Sequence, residues 1–146
     1  MALPEPHPGL IIGYSYLWRD EEQAGHGEGR KDRPCAIIAA IDGVEGEEKT
    51  VIVLPVTHTP PSLPDQAVEI PLATKKRLGL DHARSWIICS EANKFIWPGY
   101  DLRRVSRDEK DRFSYGVLPP TLFSHIKKKV LYLAQGRRFD VVGRSE

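Results

Sequence analysis

The sequence predicts a mainly β fold with a C-terminal helix (β+α), organised as one domain. Short runs of β-branched and aromatic residues alternate with turn-forming glycines and prolines over most of the chain. A single long stretch near the C-terminus spaces its apolar residues as an amphipathic helix does. The length of 146 residues is that of one ordinary domain. Roughly five to seven short strands, tight turns and one closing helix predict a small, strongly bent sheet or barrel.

The chain divides into a domain and a short tail on either side. Residues 1–8 contain three prolines and no apolar periodicity, which predicts an extended N-terminal tail. The domain is expected over residues 9–136, and a C-terminal tail over residues 137–146. Residues 10–18 are rich in β-branched and aromatic residues and predict the first strand. The polar loop that follows, residues 19–32, is long enough in so small a domain to indicate a functional role.

The centre of the domain is predicted from two continuous apolar runs. Residues 35–41 and 50–57 have the pattern of strands buried on both faces, and residues 42–48 join them as a turn. Residues 58–65 are rich in proline and cannot form a regular strand. They therefore predict a second loop, next to the end of the third strand.

Shorter elements follow these central strands. Residues 67–71 alternate like a half-buried strand, and residues 72–78 fit one or two helical turns before a glycine. Residues 85–90 predict another strand. We expect residues 93–98 to be irregular.

The last part of the domain is predicted to end on a helix. Short strands are expected over residues 100–105 and 113–118. Pro119 and Pro120 then precede apolar residues that share one helical face, and the pattern stops at Gly136. These apolar residues are Leu122, Phe123, Ile126, Val130 and Leu133.

Charge and cysteine content narrow the class of protein. The 21 basic and 20 acidic residues nearly cancel, so local clusters matter more than the net charge of +1. Basic clusters at residues 30–33 and 75–77 would hold phosphates if they met on one face, although such runs are also ordinary solvated faces. Cys35 and Cys89 lie in apolar stretches, which indicates buried thiols and no disulfide. Without an apolar membrane span or a secretion signal in the sequence, we expect a soluble cytoplasmic protein.

Several common site motifs do not occur. The sequence contains no P-loop, no Gly-x-Gly-x-x-Gly and no Cys-x-x-Cys, and its five histidines lack the spacing of a zinc helix. We therefore expect no metal and no cofactor.

The order of the remaining signals is distinctive. A glycine leads the first strand, a polar loop reads Glu28-Gly-Arg-Lys-Asp-Arg33-Pro34 into an apolar strand, and the next strand ends Leu-Pro-Val-Thr57. In this order the chain resembles the MazF/PemK/Kid family toxins of type II toxin–antitoxin systems, over roughly residues 9–134. The resemblance implies a homodimer of SH3-like barrels that acts as a growth-inhibiting toxin. It also implies a metal-independent endoribonuclease that cleaves single-stranded RNA (mRNA), and a cognate antitoxin with an acidic segment as partner.

The resemblance assigns catalytic roles to Arg33, Thr57 and Glu28, which stand where the family has its Arg-Pro arginine, its Pro-x-Thr threonine and its loop glutamate. Glu22, with an insertion before the arginine, is the alternative glutamate, and the spacing to Arg33 favours Glu28. Ser90-Glu91 replaces the Asp-Gln of many members, and Ile88 replaces an arginine found in some.

The chemistry requires no metal because the 2′-hydroxyl that attacks phosphorus belongs to the substrate. The planar fork of Arg33 suits the charge that grows on the phosphate, and Thr57 offers a hydroxyl to the same group. Glu28, Glu91 and His58 are the candidates for proton transfer. We predict that RNA is bound by a wider set of residues: Lys31, Arg30, His58, Glu91, Lys75, Lys76 and Arg77.

Two other functions remain open. The CcdB-type toxins share the fold and inhibit DNA gyrase by contact, but their Trp-Gly-Ile-like end differs from residues 141–146 of this chain. A family member without catalytic activity, acting as a binding module, is the second alternative.

Overall fold

The computed structural model describes residues 3–25, 31–44, 48–105 and 112–144. These residues form a mainly β fold with a helix near the C-terminus, as predicted. The elements are β1 Leu10–Tyr14, α1 Arg19–Gln23, β2 Arg33–Ile41, β3 Thr50–Thr57, β4 Ala67–Glu69, α2 Leu72–Leu78, β5 Trp86–Ile88, β6 Glu91–Ile96, β7 Leu102–Arg103, β8 Ser114–Val117, α3 Pro120–Gln135 and β9 Asp140–Gly143.

The strands belong to one sheet that bends around β3. The main order is β4-β5-β3-β2-β1-β7, with β6 paired to β3 and β9, and β8 paired to β1. Residues 56–57 at one end of β3 pair with β5, whereas residues 50–53 at its other end pair with β6. The pairs are antiparallel except that of β6 with β9, which is parallel. Among the described strands, the pairing order does not close into a ring.

The core lies on both sides of this bent sheet. On one side α3 packs Ile126, Val130 and Leu133 into a cluster with apolar residues of β3 and β5. On the other side Tyr14 stacks on Phe95, with ring centroids 4.6 Å apart, in a second apolar cluster. The burial of β2 and β3 on both faces explains why their sequences are continuous apolar runs. Both cysteines are free and buried, at positions within these layers.

Three elements differ from the sequence prediction. Residues 91–96, most of which we expected to be irregular, form β6, because the buried Asn93 amide is satisfied by the backbone N–H and carbonyl of Leu17. The predicted loop contains the short helix α1. The segment predicted as a C-terminal tail contributes β9, whose Val142 is buried. In the described residues, no helix is both long and apolar enough to cross a membrane.

Candidate functional site

The fold brings Arg33 and Thr57 together. Arg33 is the first residue of β2 and Thr57 is the last residue of β3. These two strands are antiparallel, with Cys35 opposite Pro55, so the same register continued by two residues sets Arg33 across from Thr57. The Arg33 Nη1 donates to the carbonyl oxygen of Val56 at 3.3 Å, which ties its side chain to β3.

Two pockets meet at this pair of residues. The first, here called the histidine pocket, has a volume of about 320 Å³ and is lined by Lys31, Asp32, His58, Asp81, Ser85 and Tyr115, among others. The second, the glutamate pocket, has a volume of about 620 Å³ and is lined by Trp18, Arg19, Glu21, Thr59, Gln66 and Glu91, among others. Arg33 and Thr57 line both pockets and therefore form their common wall.

The guanidinium of Arg33 has unused hydrogen-bonding capacity. Its Cζ lies 5.1 Å from the centroid of the Trp18 ring, which fixes the plane of the group by a cation–π contact. Its Nε is buried and has no hydrogen-bond partner among the described residues. A buried donor without a partner is costly. The charged guanidinium lies at the wall between the pockets, a position that suits an anion.

The hydroxyl of Thr57 is oriented by the turn that follows β3. Its Oγ1 accepts a hydrogen bond from the backbone N–H of Thr59 at 3.1 Å. The oxygen is thereby used as an acceptor, which leaves the hydroxyl proton to be donated. Thr57 thus offers a donor next to the guanidinium of Arg33.

In the histidine pocket, His58 contacts a carboxylate. Its Nε2 lies 2.7 Å from Oδ2 of Asp81, and both side chains are about half exposed, at 53% and 54%. The other oxygen of Asp81 accepts hydrogen bonds from Lys75 Nζ at 2.5 Å and from the Ala83 N–H at 3.2 Å. The hydrogen bond from Lys75, and then the one to His58, lower the pKa of Asp81, so this carboxylate is ionised at neutral pH.

The ammonium of Lys75 is directed into the protein. The side chain is only 2% exposed, and Nζ donates to Asp81, to the Ala83 carbonyl and to Ser85 Oγ at 2.6 Å. An ammonium held in this way is not available to RNA, so the predicted role of Lys75 as an RNA contact does not fit its position. Its neighbours Lys76 and Arg77 are exposed, and neither lines the two pockets.

In the glutamate pocket, Glu91 is a half-buried carboxylate that accepts hydrogen bonds from two donors. Its Oε2 accepts hydrogen bonds from the Tyr16 hydroxyl at 3.0 Å and from the Arg19 backbone N–H at 2.8 Å. Burial raises the pKa of Glu91 despite these hydrogen bonds. The side chain of Arg19 turns away to Asp140, with which it makes two hydrogen bonds of 2.6 and 2.7 Å.

The remaining predicted residues are distributed unevenly around the site. Lys31 is exposed and lines the histidine pocket. Glu28 and Arg30 lie outside the described residues.

The sequence reasoning missed the partners of these side chains. Asp81 and Ser85 stand well beyond His58 in the chain, and no local motif connects them. The contact of Trp18 with the guanidinium of Arg33 likewise depends on the fold and follows from no motif. The Tyr16 hydroxyl is 75 residues from Glu91, so this contact also depends on the fold.

The comparisons with known proteins identify no family for this chain. A scan against protein-family models finds no match for this chain, and a search of curated proteins finds none either. What the site can do therefore follows from its own groups: two donors beside each other for an anion, with an ionisable imidazole on one side and a half-buried carboxylate on the other.

Proposed function

We propose that this chain is the toxin of a type II toxin–antitoxin pair, a metal-independent endoribonuclease of the MazF/PemK/Kid kind. One observation carries the proposal. Arg33 has a buried donor without a described partner and lies across from Thr57, on the wall shared by two pockets. That arrangement suits one phosphate of a strand whose neighbouring nucleotides occupy the two pockets.

The reaction follows from what RNA brings to this site. The 2′-oxygen attacks the adjacent phosphorus, the bond from phosphorus to the 5′-oxygen breaks, and a 2′,3′-cyclic phosphate and a 5′-hydroxyl result. Arg33 stabilises the charge that develops on the phosphate oxygens, because its fork matches two of them. Thr57 donates its hydroxyl to the same group. The pockets favour single-stranded RNA, since only unpaired nucleotides can turn their bases outward on both sides of the phosphate.

The same proposal includes assembly and control. The bent sheet is consistent with an SH3-like barrel, and a two-fold homodimer would lengthen the short groove that one domain offers. The exposed Lys31 and the guanidinium of Arg33 line the histidine pocket, and they are the groups that the acidic segment of a cytoplasmic antitoxin would contact. Light scattering at micromolar concentration tests the dimer. Competition between RNA and an acidic peptide, weakened by salt, tests the shared site.

The experiment that tests the activity uses a long single-stranded RNA of mixed sequence, purified protein and excess EDTA. We expect defined fragments with 2′,3′-cyclic phosphate and 5′-hydroxyl ends. The Arg33→Ala variant, purified in the same way, controls for contaminating ribonucleases. Cleavage that is lost in EDTA and restored by magnesium would contradict metal independence. Equal cleavage by the variant would contradict the site, and no cleavage by the parent would favour a binding toxin or an inactive family member.

A further inference from the structure

The histidine pocket is bordered by a chain of three hydrogen-bonded side chains that the resemblance does not account for. Lys75 is buried and bonds one oxygen of Asp81, while the other oxygen of Asp81 bonds the ring of His58. A buried ammonium is tolerated when it is paired, and Asp81 is its ionic partner among the described contacts. The carboxylate is therefore fixed by its buried partner, and it in turn fixes the orientation of His58.

The orientation leaves one ring nitrogen for a substrate. Because Nε2 faces Asp81, Nδ1 is the nitrogen that a ligand in the pocket can reach, and it has no hydrogen bond within the described residues. The other charged or titratable side chains around this pocket are Lys31, Asp32, Arg33 and Tyr115, with Lys75 behind Asp81.

The glutamate pocket supplies a second group on the opposite side of the shared wall. Glu91 lines that pocket, and His58 lines the other, whereas Arg33 and Thr57 line both. Attack on phosphorus is in line with the departing oxygen, so a base and an acid are needed on opposite sides of the phosphate. A carboxylate that burial makes more basic than usual suits the base, and an imidazole whose ring is oriented by a carboxylate suits the acid.

We propose that His58, positioned by Asp81 and Lys75, protonates the departing 5′-oxygen, while Glu91 accepts the proton of the attacking 2′-hydroxyl. The carboxylate of Glu91 gains one proton and the imidazolium of His58 loses one, so the protons balance. The bond from the 2′-oxygen to phosphorus forms as the bond from phosphorus to the 5′-oxygen breaks. Exchange with water then restores both groups. His58 and Glu91 are catalytic residues in this scheme, and Asp81 is a positioning residue. The assignment rests on the proposed ribonuclease function.

A purely structural role for the Lys75–Asp81 pair makes different predictions. The pair would then only anchor the loop that contains Ala83 and Ser85, and His58 would be an incidental surface neighbour. Removal of His58 would not affect catalysis. Removal of the Asp81 charge would lower the melting temperature without changing the rate of cleavage of either kind of substrate described below.

The decisive experiment compares two RNA substrates in single turnovers. In the second substrate a sulfur replaces the 5′-oxygen of the cleaved bond, and a thiolate leaves without protonation because thiols are far more acidic than alcohols. His58→Ala should cut ordinary RNA about a hundredfold more slowly and should recover most of that loss on the sulfur substrate. Glu91→Gln should be slow on both substrates, because the 2′-hydroxyl still needs a base.

The outcomes separate this assignment from the function on which it rests. If the parent protein cuts neither substrate, the ribonuclease function itself fails. If the parent cuts ordinary RNA but His58→Ala matches it, or loses the same factor on both substrates, His58 is not the acid. If Glu91→Gln recovers on the sulfur substrate or keeps the parent rate, Glu91 is not the base.

Asp81→Asn tests the positioning role through the same two substrates. If Asp81 orients His58 toward the departing oxygen, the variant should be slow on ordinary RNA and should recover most of that loss on the sulfur substrate, as His58→Ala does. The loss should be in kcat and not in KM. Glu69→Gln is the matched control, because it removes an ion-paired carboxylate that lines neither pocket. An unchanged rate in Asp81→Asn with only a lower melting temperature, or an equal loss on both substrates, would overturn the positioning role.

Discussion

Two arginines of this fold stack on aromatic rings and yet have opposite surroundings. The guanidinium of Arg144 lies 5.6 Å from the ring centroid of Tyr14, and that of Arg33 lies 5.1 Å from the ring centroid of Trp18. Both rings belong to the same segment near the start of the domain. The shared cation–π geometry therefore does not distinguish a structural arginine from a functional one.

Hydrogen bonding makes the distinction. Arg144 is 2% exposed, donates to the Ser15 carbonyl at 2.6 Å and to Asn93 Oδ1 at 3.1 Å, and pairs with Asp101 at 3.0 Å. Arg33 has a 3.3 Å bond and a buried Nε without a described partner, beside two pockets. A guanidinium whose donors are used within the fold stabilises the fold, whereas one with fewer internal hydrogen bonds at a pocket wall is suited to a ligand.

The largest effect on stability should come from replacing Arg144. Arg144→Met keeps much of the apolar stem but leaves Asp101, whose side chain is 14% exposed, without its partner, which should lower the free energy of unfolding by about 3 kcal/mol. Urea denaturation followed by circular dichroism measures the change. The remaining folded protein should cleave RNA at the parent rate per molecule. A stable variant with lost activity would reverse the roles of the two arginines.

Arg33→Ala should act on the rate and not on the fold. Loss of one preorganised donor for developing charge costs about a hundredfold in rate, and we expect at least that in single-turnover cleavage. Arg33→Lys should restore little, because an ammonium cannot make the two-pronged contact. Thermal melts of both variants should stay close to the parent. A variant that melts early would show that Arg33 supports the fold as Arg144 does.

Thr57→Val, on the wall that Thr57 shares with Arg33, should have a smaller effect on the cleavage rate. Valine preserves the shape of the side chain and removes the hydroxyl, so the rate should fall about tenfold, within the range of one hydrogen bond to a charged group. Thr57→Ser, which keeps the hydroxyl, is the matched control and should remain near the parent rate. Equal losses in both variants would indicate that packing, and not donation to the phosphate, is what Thr57 supplies.

Arg84→Ala should have the smallest effect. Arg84 lies 5.0 Å from the ring centroid of Trp86 and makes two 2.8 Å bonds to Glu69, but its side chain is 72% exposed and lines neither pocket. Exposed ion pairs contribute little. Rate and melting temperature should both match the parent within experimental scatter. A clear loss of activity would mean that the RNA path extends beyond the two pockets.

The parts of the fold that sequence predicts are those with local signals. The strand at residues 50–57 and the helix at residues 72–78 coincide with β3 and α2, because apolar runs and turn residues mark both ends. β6 was missed because its buried Asn93 breaks the apolar pattern and is satisfied by a residue 76 positions away. β9 was missed because a four-residue strand that pairs in parallel has no turn signal beside it.

The parts of the site that the sequence predicts are likewise those with local signals. Arg33 and Thr57 belong to consecutive antiparallel strands, so one register brings them together. Lys75 was misread because it belongs to a basic run. It precedes the buried Leu78 by three residues, and positions three apart share a helical face, which would have indicated an inward side chain. The contact between His58 and Asp81 carries no such signal.

The pairing of β9 has a consequence for the order in which the molecule assembles. Arg144 contacts Ser15 across 129 residues of chain and Val141 contacts Arg19 across 122, so these contacts close the longest loops among the described hydrogen bonds. Long loops close late in folding, since their entropy is lost before their contacts form. Substitutions in β9 should therefore speed unfolding more than they slow folding. Ser15 and Arg19 flank Trp18, so the side of the glutamate pocket that Trp18 lines should become rigid only in the final step of folding. We therefore expect a chain that is still folding to have little capacity to cut RNA.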